Sequence, residues 1–491
     1  MMRDFNGKKI IIVGAGKSGQ AAAAMLKCQG ADPVIYDENK DLNEESVYGK
    51  LTVSIAGYLK AFGSIPVVRD EKNGNVIRNS GSADNADKIA HEIRIIKEAL
   101  SDAELDGATE VIMSPGVPVD TPLVERFKSR GLRISGEIEL AYECSKGRLI
   151  AITGTNGKTT TTALTGAIVK DYFGRARVVG NIGDPYTDAA LYTTDDDVTV
   201  AEISSFQLET TETFHPQVSA ILNITPDHLN RHHTMENYAA CKESVTANQT
   251  ADDCCVLNHD DPYTLDFGKR CPCRVIWFSS TSKLDDGYYL EDENIYKAEG
   301  GKAEKLFNVH EMKLLGRHNA ENVMAAIAMT SAIGIPMESI IRTVKGFEAV
   351  EHRIEYVRTV KGVAYYNDSK GTNPDAAIKA IEAMERKTVL IGGGYDKQNT
   401  YDEWIEAFGD KVSSLILLGQ TKDKIAECAR RHGFNDIVFA TSMEDAVNKA
   451  YSIAKSGEAV LLSPACASWG MFDNYEQRGD MFKEFVRELK N

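Results

Sequence analysis

A short loop in the first half of the chain has the residue types that hold nucleotide phosphates. It comprises Gly154, Thr155, Asn156, Gly157, Lys158, Thr159 and Thr160, and it follows the apolar run Arg148–Thr153. In a strand–loop–helix arrangement, backbone N–H groups cradle phosphate oxygens, a lysine reaches the outer phosphates and a threonine ligates Mg²⁺. The first glycine of the usual G-x-x-x-x-G-K-[ST] pattern is missing. The loop therefore predicts phosphate binding and leaves open which nucleotide chemistry uses it.

Two further polar side chains lie where strands of the same region end. Glu202 ends the apolar run Val198–Glu202, and His228 comes shortly after Val218–Asn223. Since the ligand crevice of a parallel sheet lies at the carboxyl ends of its strands, both side chains can reach a metal on the phosphates. Each also has a structural interpretation, as a helix-capping acid or a hydrogen-bonded histidine. His232 and His233 lie nearby without an H-E-x-x-H pattern, so Mg²⁺ is preferred to zinc.

The amino terminus contains a second glycine-rich turn. The run Lys8–Val13 leads into Gly14, Gly16 and Gly19, and a second strand ends at Asp37. This is a βαβ unit whose turn allows a phosphate to approach a helix N-terminus, and Asp37 has the spacing of a ribose-binding acid. The pattern leaves three interpretations open: an NAD site, a site for another nucleotide, and a turn that only packs helix on strand.

The cysteines do not predict a metal site or a disulfide framework. Cys254-Cys255 and Cys271-Pro-Cys273 lack the spacing of paired C-x-x-C knuckles, and no histidine pair completes them. The chain has 9 cysteines, an odd number that fits a reducing cytoplasm better than a set of disulfides.

The elements around these motifs predict an α/β protein with three domains. A chain of 491 residues is too long for one core, and apolar strands alternate with helical stretches throughout. We place the domains at 1–140, 141–350 and 351–491. Residues 43–90 are predicted to be an insertion, because they are rich in charge and glycine, and Leu51–Val68 is predicted to form an added hairpin or small subdomain.

Charge and hydropathy favour small-molecule chemistry. The formal net charge of -16 opposes binding to nucleic acid or anionic membranes, and we find no basic patch to offset it. The amino terminus lacks the pattern of a signal peptide, and no apolar run approaches the length of a membrane span.

Four longer motifs connect the phosphate loop to a known family. They are the stretch EISSFQL at Glu202–Leu208, the triplet Glu351–Arg353, NDSKGTN at Asn367–Asn373 and LSPACAS at Leu462–Ser468. With the GTNGKTT loop, they resemble the Mur ligase family, whose members form amide bonds at the expense of ATP in peptidoglycan precursor synthesis. The resemblance runs nearly end to end. It implies a Rossmann-like amino-terminal domain, a central P-loop ATPase-like domain and a Rossmann-like carboxy-terminal domain.

The resemblance implies ATP and Mg²⁺ as cofactors and assigns residues to both. The ATP site would comprise Gly154, Thr155, Asn156, Gly157, Lys158, Thr159, Thr160, Asn322, Arg353 and Asp368. The metal ligands would be Thr159, Glu202, His228 and Lys242, the last as a carbamate, because a bare ammonium would repel Mg²⁺. Lys158, His228 and Lys242 would be the catalytic residues.

The resemblance also implies the two other substrates, UDP-N-acetylmuramoyl-L-alanine (UDP-MurNAc-L-Ala) and D-glutamate. The first would be held by Lys17, Ser18, Asp37, Glu38, Ser114, Pro115, Gly116 and Asn181. D-Glutamate would be held by Lys370, Thr372, Lys397, Ser468 and Tyr475. UDP then replaces NAD as the interpretation of the amino-terminal turn, and a cytoplasmic monomer is expected. The rival hypotheses are a ligase for another amino acid, including a folate polyglutamating enzyme, an NAD-dependent oxidoreductase and a nucleotide-gated binding module.

Overall fold

The first strand shows why the amino-terminal part of the chain folds as a sheet covered on both faces. In the computed structural model, which describes residues 3–62, 65–69, 76–79, 85–348 and 350–490, Lys9–Val13 forms β1. Ile10 and Ile12 are buried in one core cluster, and Ile11 and Val13 in another. Because alternate residues of a strand point to opposite faces, this strand needs helices on both sides of its sheet.

The amino-terminal domain is a doubly wound sheet. Its other strands are β2 (Asp32–Asp37), β3 (Ile65–Arg69), β4 (Val76–Asn79), β5 (Arg94–Lys97), β6 (Ala108–Met113) and β7 (Arg133–Gly136). Its helices are α1 (Lys17–Cys28), α2 (Glu44–Phe62), α3 (Ala86–Ala90), α4 (Asp102–Leu105), α5 (Pro122–Ser129) and α6 (Glu137–Cys144). Five parallel strands run in the order β5-β2-β1-β6-β7, while β3 and β4 form a separate antiparallel hairpin. The strand order reverses between β1 and β6.

The predicted insertion differs from what the structure shows. Leu51–Phe62 belongs to the helix α2 rather than to a hairpin, and Leu51 and Ile55 are fully buried in the main core. The helix is therefore an integral layer of the domain. A hairpin does follow, formed by β3 and β4. Segments 70–75 and 80–84, also predicted within the insertion, lie outside the described residues.

The middle of the chain adds six parallel strands. They are β8 (Arg148–Thr153), β9 (Arg177–Gly180), β10 (Val198–Glu202), β11 (Val218–Ile221), β12 (Cys254–Asn258) and β13 (Arg274–Ser279), in the order β13-β12-β11-β8-β10-β9. The helices between them are α7 (Lys158–Phe173), α8 (Tyr186–Ala190), α9 (Ser205–Leu208), α10 (Leu229–His232), α11 (Met235–Glu243) and α12 (Pro262–Gly268). Side chains fix several helix starts. For example, the Asp261 carboxylate accepts from two N–H groups of α12, whose first residue is Pro262.

The rest of the chain contains three antiparallel strands, which the sequence analysis did not predict, and a third sheet. The antiparallel strands are β14 (Gly287–Glu291), β15 (Asn294–Glu299) and β16 (Lys302–Asn308). The helices α13 (Arg317–Ala332) and α14 (Met337–Gly346) follow.

The third sheet has the strands β17 (Glu355–Val360), β18 (Val363–Asn367), β19 (Thr388–Gly392), β20 (Val412–Leu417), β21 (Ile437–Phe439) and β22 (Ala459–Leu462). Their order is β17-β18-β22-β19-β20-β21, and only β17 is antiparallel to its neighbour. The helices are α15 (Pro374–Glu382), α16 (Asp402–Glu406), α17 (Lys422–Arg431), α18 (Met443–Ile453) and α19 (Tyr475–Glu488).

The fold is therefore α/β with three domains, as predicted. By internal contacts the chain divides into two units, Met1–Phe278 with Ala325–Ile340, and Ser279–Met324 with Ile341–Asn491. The first unit contains the amino-terminal sheet and the six middle strands. The second contains the antiparallel strands and the third sheet. Among the described residues, no helix combines the length and the hydropathy needed to cross a lipid bilayer.

Candidate functional site

The phosphate loop connects β8 to α7, as the sequence predicts. Gly154 has φ 144° and Gly157 has φ 83°, values that side-chain-bearing residues rarely adopt. A Cβ on Gly154 would also lie 3.1 Å from the Cβ of Leu222. Gly157 precedes the first residue of α7, a helix of 16 residues without an acidic residue in its first turn. The loop therefore leads into the positive end of a helix dipole, which attracts phosphate.

A neighbouring loop holds the phosphate loop in shape. The backbone N–H of Asn156 donates to Asn223 Oδ1 at 2.8 Å, and Asn223 Nδ2 donates to Asn156 O at 3.1 Å. The Thr155 hydroxyl accepts from the N–H of Thr225 at 3.0 Å. The sequence analysis missed these supporting residues, although Asn223 directly follows the apolar run of β11. Their bonds pre-form the phosphate-binding backbone.

Two lysines meet at one carbonyl of this loop. Lys158 Nζ and Lys242 Nζ each donate to Gly154 O at 2.8 Å. Lys242 is 1% exposed, and its ammonium lies 4.6 Å from the ring centre of Tyr238. Burial, followed by the charge of Lys158, holds the pKa of Lys242 well below its usual value. A lysine of lowered pKa offers more of the neutral amine, which is the form that reacts with carbon dioxide to give a carbamate.

Glu202 lies at the carboxyl end of β10, next to the phosphate loop. In the strand order, β8 lies between β10 and β11. Glu202 is 1% exposed, and its Oε1 accepts from Asn181 Nδ2 at 2.7 Å. Its Oε2 is buried without a hydrogen-bond partner among the described residues. An unpartnered buried carboxylate oxygen is costly unless a cation pairs with it, so Glu202 fits the predicted Mg²⁺ site.

The three neighbouring histidines have different surroundings. His228 lies between β11 and α10 with φ 53°, and its half-exposed ring packs 4.8 Å from that of Phe206. His232 is buried, and its Nε2 lies 2.9 Å from Ser205 Oγ. Burial lowers the pKa of His232. His233 Nε2 contacts Asp120 Oδ2 at 3.3 Å. The three rings therefore have different partners and different degrees of exposure.

The predicted UDP-binding residues gather where the amino-terminal sheet reverses its strand order. Lys17 and Ser18 begin α1 after β1, Asp37 ends β2 and Glu38 follows it, and Ser114, Pro115 and Gly116 follow β6. Ligands bind at such switch points in doubly wound sheets.

Three hydrogen bonds define this amino-terminal site more closely. Asp37 Oδ2 accepts from the N–H of Ala15 at 2.7 Å, and Oδ1 accepts from the N–H of Asn39 at 2.9 Å. Asp37 therefore also shapes the glycine turn. Lys17 Nζ donates to Gly183 O at 2.7 Å, in the loop after β9 that carries Asn181. This bond places the predicted UDP residues of the two sheets side by side.

The remaining ATP-site candidates lie in the second unit. Asn322 is buried in α13, and its Nδ2 donates to Asn319 Oδ1 at 3.0 Å. Asp368 is buried after β18 and accepts from Ser463 Oγ at 2.7 Å. Burial raises the pKa of Asp368 to about 7, and Ser463 and Arg353 oppose the increase. The Nε of Arg353 is buried without a hydrogen-bond partner among the described residues, so this group also fits an incoming polar ligand.

The D-glutamate candidates share one edge of the third sheet. They follow β18, β19 and β22, which are neighbours in the order β18-β22-β19. Lys370 Nζ lies 5.3 Å from the ring centre of Tyr475, and Thr372 is in the same loop as Lys370. Lys397 Nζ lies 5.0 Å from the ring centre of Trp469, which follows the buried Ser468. Two lysines at one edge suit a substrate with carboxylates.

Two functional candidates in this region were missed from sequence. Trp469 is 54% exposed, and it packs edge-on against Tyr395 while facing Lys397. Its position directly after the LSPACAS stretch was the available signal. Arg478 is buried, donates to the Oγ and O of Ser369 and the O of Cys466, and so joins the loops after β18 and β22. Burial lowers the pKa of Arg478 to about 10.

Comparison with known proteins decides the family. The Mur ligase middle domain model matches residues 152–330, and the Mur ligase, glutamate ligase domain model matches residues 352–466. The UDP-N-acetylmuramoylalanine--D-glutamate ligase of Lachnospira eligens is 52% identical over 486 residues, which cover 99% of this chain and 100% of that protein. The ligase of the same name from Lachnoclostridium phytofermentans is 49% identical over 488 residues, with 99% and 100% covered. The chain belongs to the Mur ligase family.

The fold of this Mur ligase also has solved counterparts. The UDP-N-acetylmuramate-alanine ligase of Thermotoga maritima matches with a TM-score of 0.57 at 18% identity, covering 98% of this chain and 99% of that chain. The middle-domain match begins at the end of β8 and includes the phosphate loop, Glu202, His228 and Lys242. The second match contains Arg353, Asp368, Lys370, Thr372 and Lys397. The amino-terminal UDP candidates lie outside both matches.

Proposed function

We propose that this Mur ligase joins D-glutamate to UDP-MurNAc-L-Ala through a new amide bond, with ATP converted to ADP and phosphate. The observation that carries this proposal is the 52% identity, over the full length of both chains, to a protein named for this reaction. The enzyme serves peptidoglycan precursor synthesis. It acts in the cytoplasm as a monomer on small molecules rather than on nucleic acid, in keeping with its net charge of -16.

ATP is bound by the phosphate loop. The backbone N–H groups at the start of α7, from Gly157 to Thr160, and the positive end of this helix would face the phosphates, and Lys158 would reach the γ-phosphate. Asn322, Arg353 and Asp368 hold the nucleoside. The buried Nε of Arg353 supports this assignment, because it gains a partner when a ligand binds.

Mg²⁺ fits the donors of the middle domain. Hard cations prefer oxygen ligands, and Glu202 Oε2 is a buried carboxylate oxygen without a partner among the described residues. The Thr159 hydroxyl in the first turn of α7 would complete the first metal site, and His228 and the carbamate of Lys242 would hold the second ion. When bound, Mg²⁺ would offset the negative charge of the phosphates.

The reaction has two bond-forming steps. First, the alanyl carboxylate of UDP-MurNAc-L-Ala attacks the γ-phosphorus of ATP, the bond from this phosphorus to the bridging oxygen breaks, and ADP leaves as the acyl phosphate forms. The amine of D-glutamate then attacks the acyl carbon, and the tetrahedral intermediate collapses to the amide as phosphate leaves and the amine loses a proton. Lys158 and the N–H groups of α7 stabilise the charge that develops on the transferred phosphoryl group.

The binding groups place two anionic reactants beside an anionic nucleotide. Lys17, Ser18, Asp37, Glu38, Ser114, Pro115, Gly116 and Asn181 hold the sugar nucleotide. Lys370, Thr372, Lys397, Ser468 and Tyr475 hold D-glutamate. Since the reactants repel one another, much of the rate enhancement comes from holding them in an attack geometry.

Phosphate release tests the proposal. The purified protein is given ATP, Mg²⁺ and UDP-MurNAc-L-Ala with D-glutamate, L-glutamate, lysine or diaminopimelate in turn, and with a folate substrate in a separate control. Release confined to D-glutamate supports the proposal. Release with another amino acid would keep the ligase chemistry and overturn the assigned amino-acid pocket. No release with any substrate would overturn the function.

A substitution tests the role of Lys158 separately. Lys158→Ala should abolish turnover while leaving the far-UV and near-UV circular dichroism spectra unchanged. Lys146→Ala, at an exposed position of the same charge before β8, is the matched control and should keep full activity. A Lys158 variant with nearly normal turnover would exclude the assigned role.

A further inference from the structure

Three thiols converge at the amino-terminal edge of the six middle strands. Cys255 is in β12, and Cys271 and Cys273 lie directly before β13 on either side of Pro272. The sulfurs of Cys271 and Cys273 are 3.6 Å apart, and Cys255 is hydrogen-bonded to Cys271. All three are free thiols. The sequence analysis set these cysteines aside because their spacing does not match a metal site.

The surroundings of Cys271 favour its thiolate. The thiols of Cys255 and Cys273 and the backbone N–H of Cys273 lie beside its sulfur, and these contacts lower the pKa of Cys271. The guanidinium of Arg270 acts in the same direction. The Cys273 thiol also donates to Gln249 Oε1 at 3.4 Å. The pKa values of the two neighbouring thiols change in the opposite direction. Burial, with the bond to Cys271, raises the pKa of Cys255, and the bond to Cys271, with burial, raises that of Cys273.

Access also distinguishes the three cysteines. Cys271 is partly exposed, whereas Cys255 is fully buried and Cys273 is 8% exposed. A redox-reactive cysteine needs a stabilised thiolate, access from solvent and a second thiol close enough to form a disulfide. Cys271 meets the first two conditions, and Cys273 supplies the third at 3.6 Å.

We propose that Cys271 is a peroxide-reactive cysteine that Cys273 converts into a Cys271–Cys273 disulfide. In the first step the Cys271 thiolate attacks one oxygen of hydrogen peroxide, an S–O bond forms, the O–O bond breaks and hydroxide leaves. The product is a sulfenic acid. In the second step the Cys273 sulfur attacks the Cys271 sulfur, the S–S bond forms, the S–O bond breaks and water leaves with the Cys273 thiol proton.

This modification site is separate from the ligase site. Cys254 pairs with Arg274 at the starts of β12 and β13, so the three thiols lie at the amino ends of these strands. The phosphate loop, Glu202 and Asn223 lie at the carboxyl ends of neighbouring strands. The proposal therefore does not depend on the ligase activity, and its test needs no turnover measurement.

The sequence makes the test direct. Arg270 and Arg274 flank the thiols, so trypsin releases Cys271, Pro272, Cys273 and Arg274 as one peptide, whereas Cys255 lies in a different peptide. The reduced full-length protein is treated with hydrogen peroxide at neutral pH, alkylated and digested, and its peptides are weighed. We expect the peptide 271–274 to lose two hydrogens without becoming linked to another peptide.

Variants and an internal control complete the experiment. Cys273→Ser should halt the reaction at the Cys271 sulfenic acid, which dimedone traps, and Cys255→Ser should still give the disulfide. Cys28 is also partly exposed, but burial raises the pKa of its thiol, so Cys271 should react at least about 10-fold faster than Cys28.

Two results would overturn the proposal. One is oxidation of Cys271 no faster than that of Cys28. The other is a cross-link between the peptides of Cys255 and Cys271, which would transfer the resolving role to Cys255.

Discussion

Replacing Glu202 with glutamine should change stability and activity in opposite directions. The side chain is 1% exposed, its Oε1 accepts from Asn181 and its Oε2 has no hydrogen-bond partner among the described residues. Without metal, leaving such an atom unpaired costs about 1–3 kcal/mol. Glutamine keeps the shape and the Oε1 bond and places a neutral amide group where the unpaired carboxylate oxygen lies, and a neutral amide costs less to bury unpaired. The free energy of unfolding should therefore increase by up to about 1–3 kcal/mol, and each kcal/mol raises the Tm by about 2–4 °C.

Activity should decrease in the same variant, because the proposed Mg²⁺ site loses its buried carboxylate. Removing one group that stabilises charge in a transition state commonly lowers kcat by about 100-fold or more. Thermal unfolding is measured without nucleotide or metal, and phosphate release with all three substrates and Mg²⁺. Asn181→Ala is the matched control, since it removes the donor to Oε1 and should lower both quantities.

Either of two results would refute this reasoning. If Glu202→Gln lowered the Tm, the charged carboxylate would be stabilised by the protein itself and would not be poised for a cation. If the variant kept more than about a third of its activity, Glu202 would not serve the metal.

Three further substitutions test other parts of the molecule. Lys242→Ala should lower phosphate release by about 100-fold or more and recover partly with added acetate, which replaces the carbamate oxygens; full activity without acetate would refute the assignment. Trp469→Ala should raise the KM for D-glutamate about 2–5-fold and leave the KM for ATP unchanged, because the ring lies 5.0 Å from Lys397 Nζ; equal changes in both would contradict it. Burial raises the pKa of Glu137 from 4.5 to about 7, so the folded protein binds the Glu137 proton more tightly than the unfolded chain does. This contribution to the free energy of unfolding is fully present below pH 4.5 and is lost as the pH rises through 7. Glu137→Gln should remove about 3 kcal/mol of this pH dependence in denaturant unfolding from pH 4 to 8, and an unchanged slope would show that Glu137 is not its source.

The parts of the site that are continuous in sequence could be predicted from local sequence patterns. The phosphate loop could be predicted because a strand, two glycines and a lysine occur together, and these residues alone set the turn and the helix start. Glu202 and Asp37 could be placed because each ends an apolar strand, and strand ends of parallel sheets share an edge.

The supporting contacts could not be predicted, because they join distant parts of the chain. Asn156 is bonded to Asn223, 67 residues away, and Arg478 to Ser369, 109 residues away. Nothing in the local sequence of either partner identifies the other. The helix α2 was missed for a different reason. Its buried residues recur three or four positions apart, a spacing typical of an amphipathic helix, so this signal was present in the sequence and the charged, glycine-rich stretches that follow concealed it.

The carbonyl of Gly154 has a consequence for how a nucleotide enters the site. It accepts hydrogen bonds from Lys158 Nζ and Lys242 Nζ, so the partial negative charge of the loop's own carbonyl oxygen stabilises both side chains. A phosphate that binds at the proposed site therefore has to displace carbonyl oxygens from the Lys158 ammonium. It does not meet an unpaired cation. The free energy gained on binding is the difference between the interaction of Lys158 with the phosphate and its interaction with the carbonyl oxygens. This difference is larger for a polyphosphate, which carries several negative charges, than for inorganic phosphate or chloride. In the proposed ATP site, the loop would therefore select ligands by their number of negative charges, before any contact with the adenine base is made.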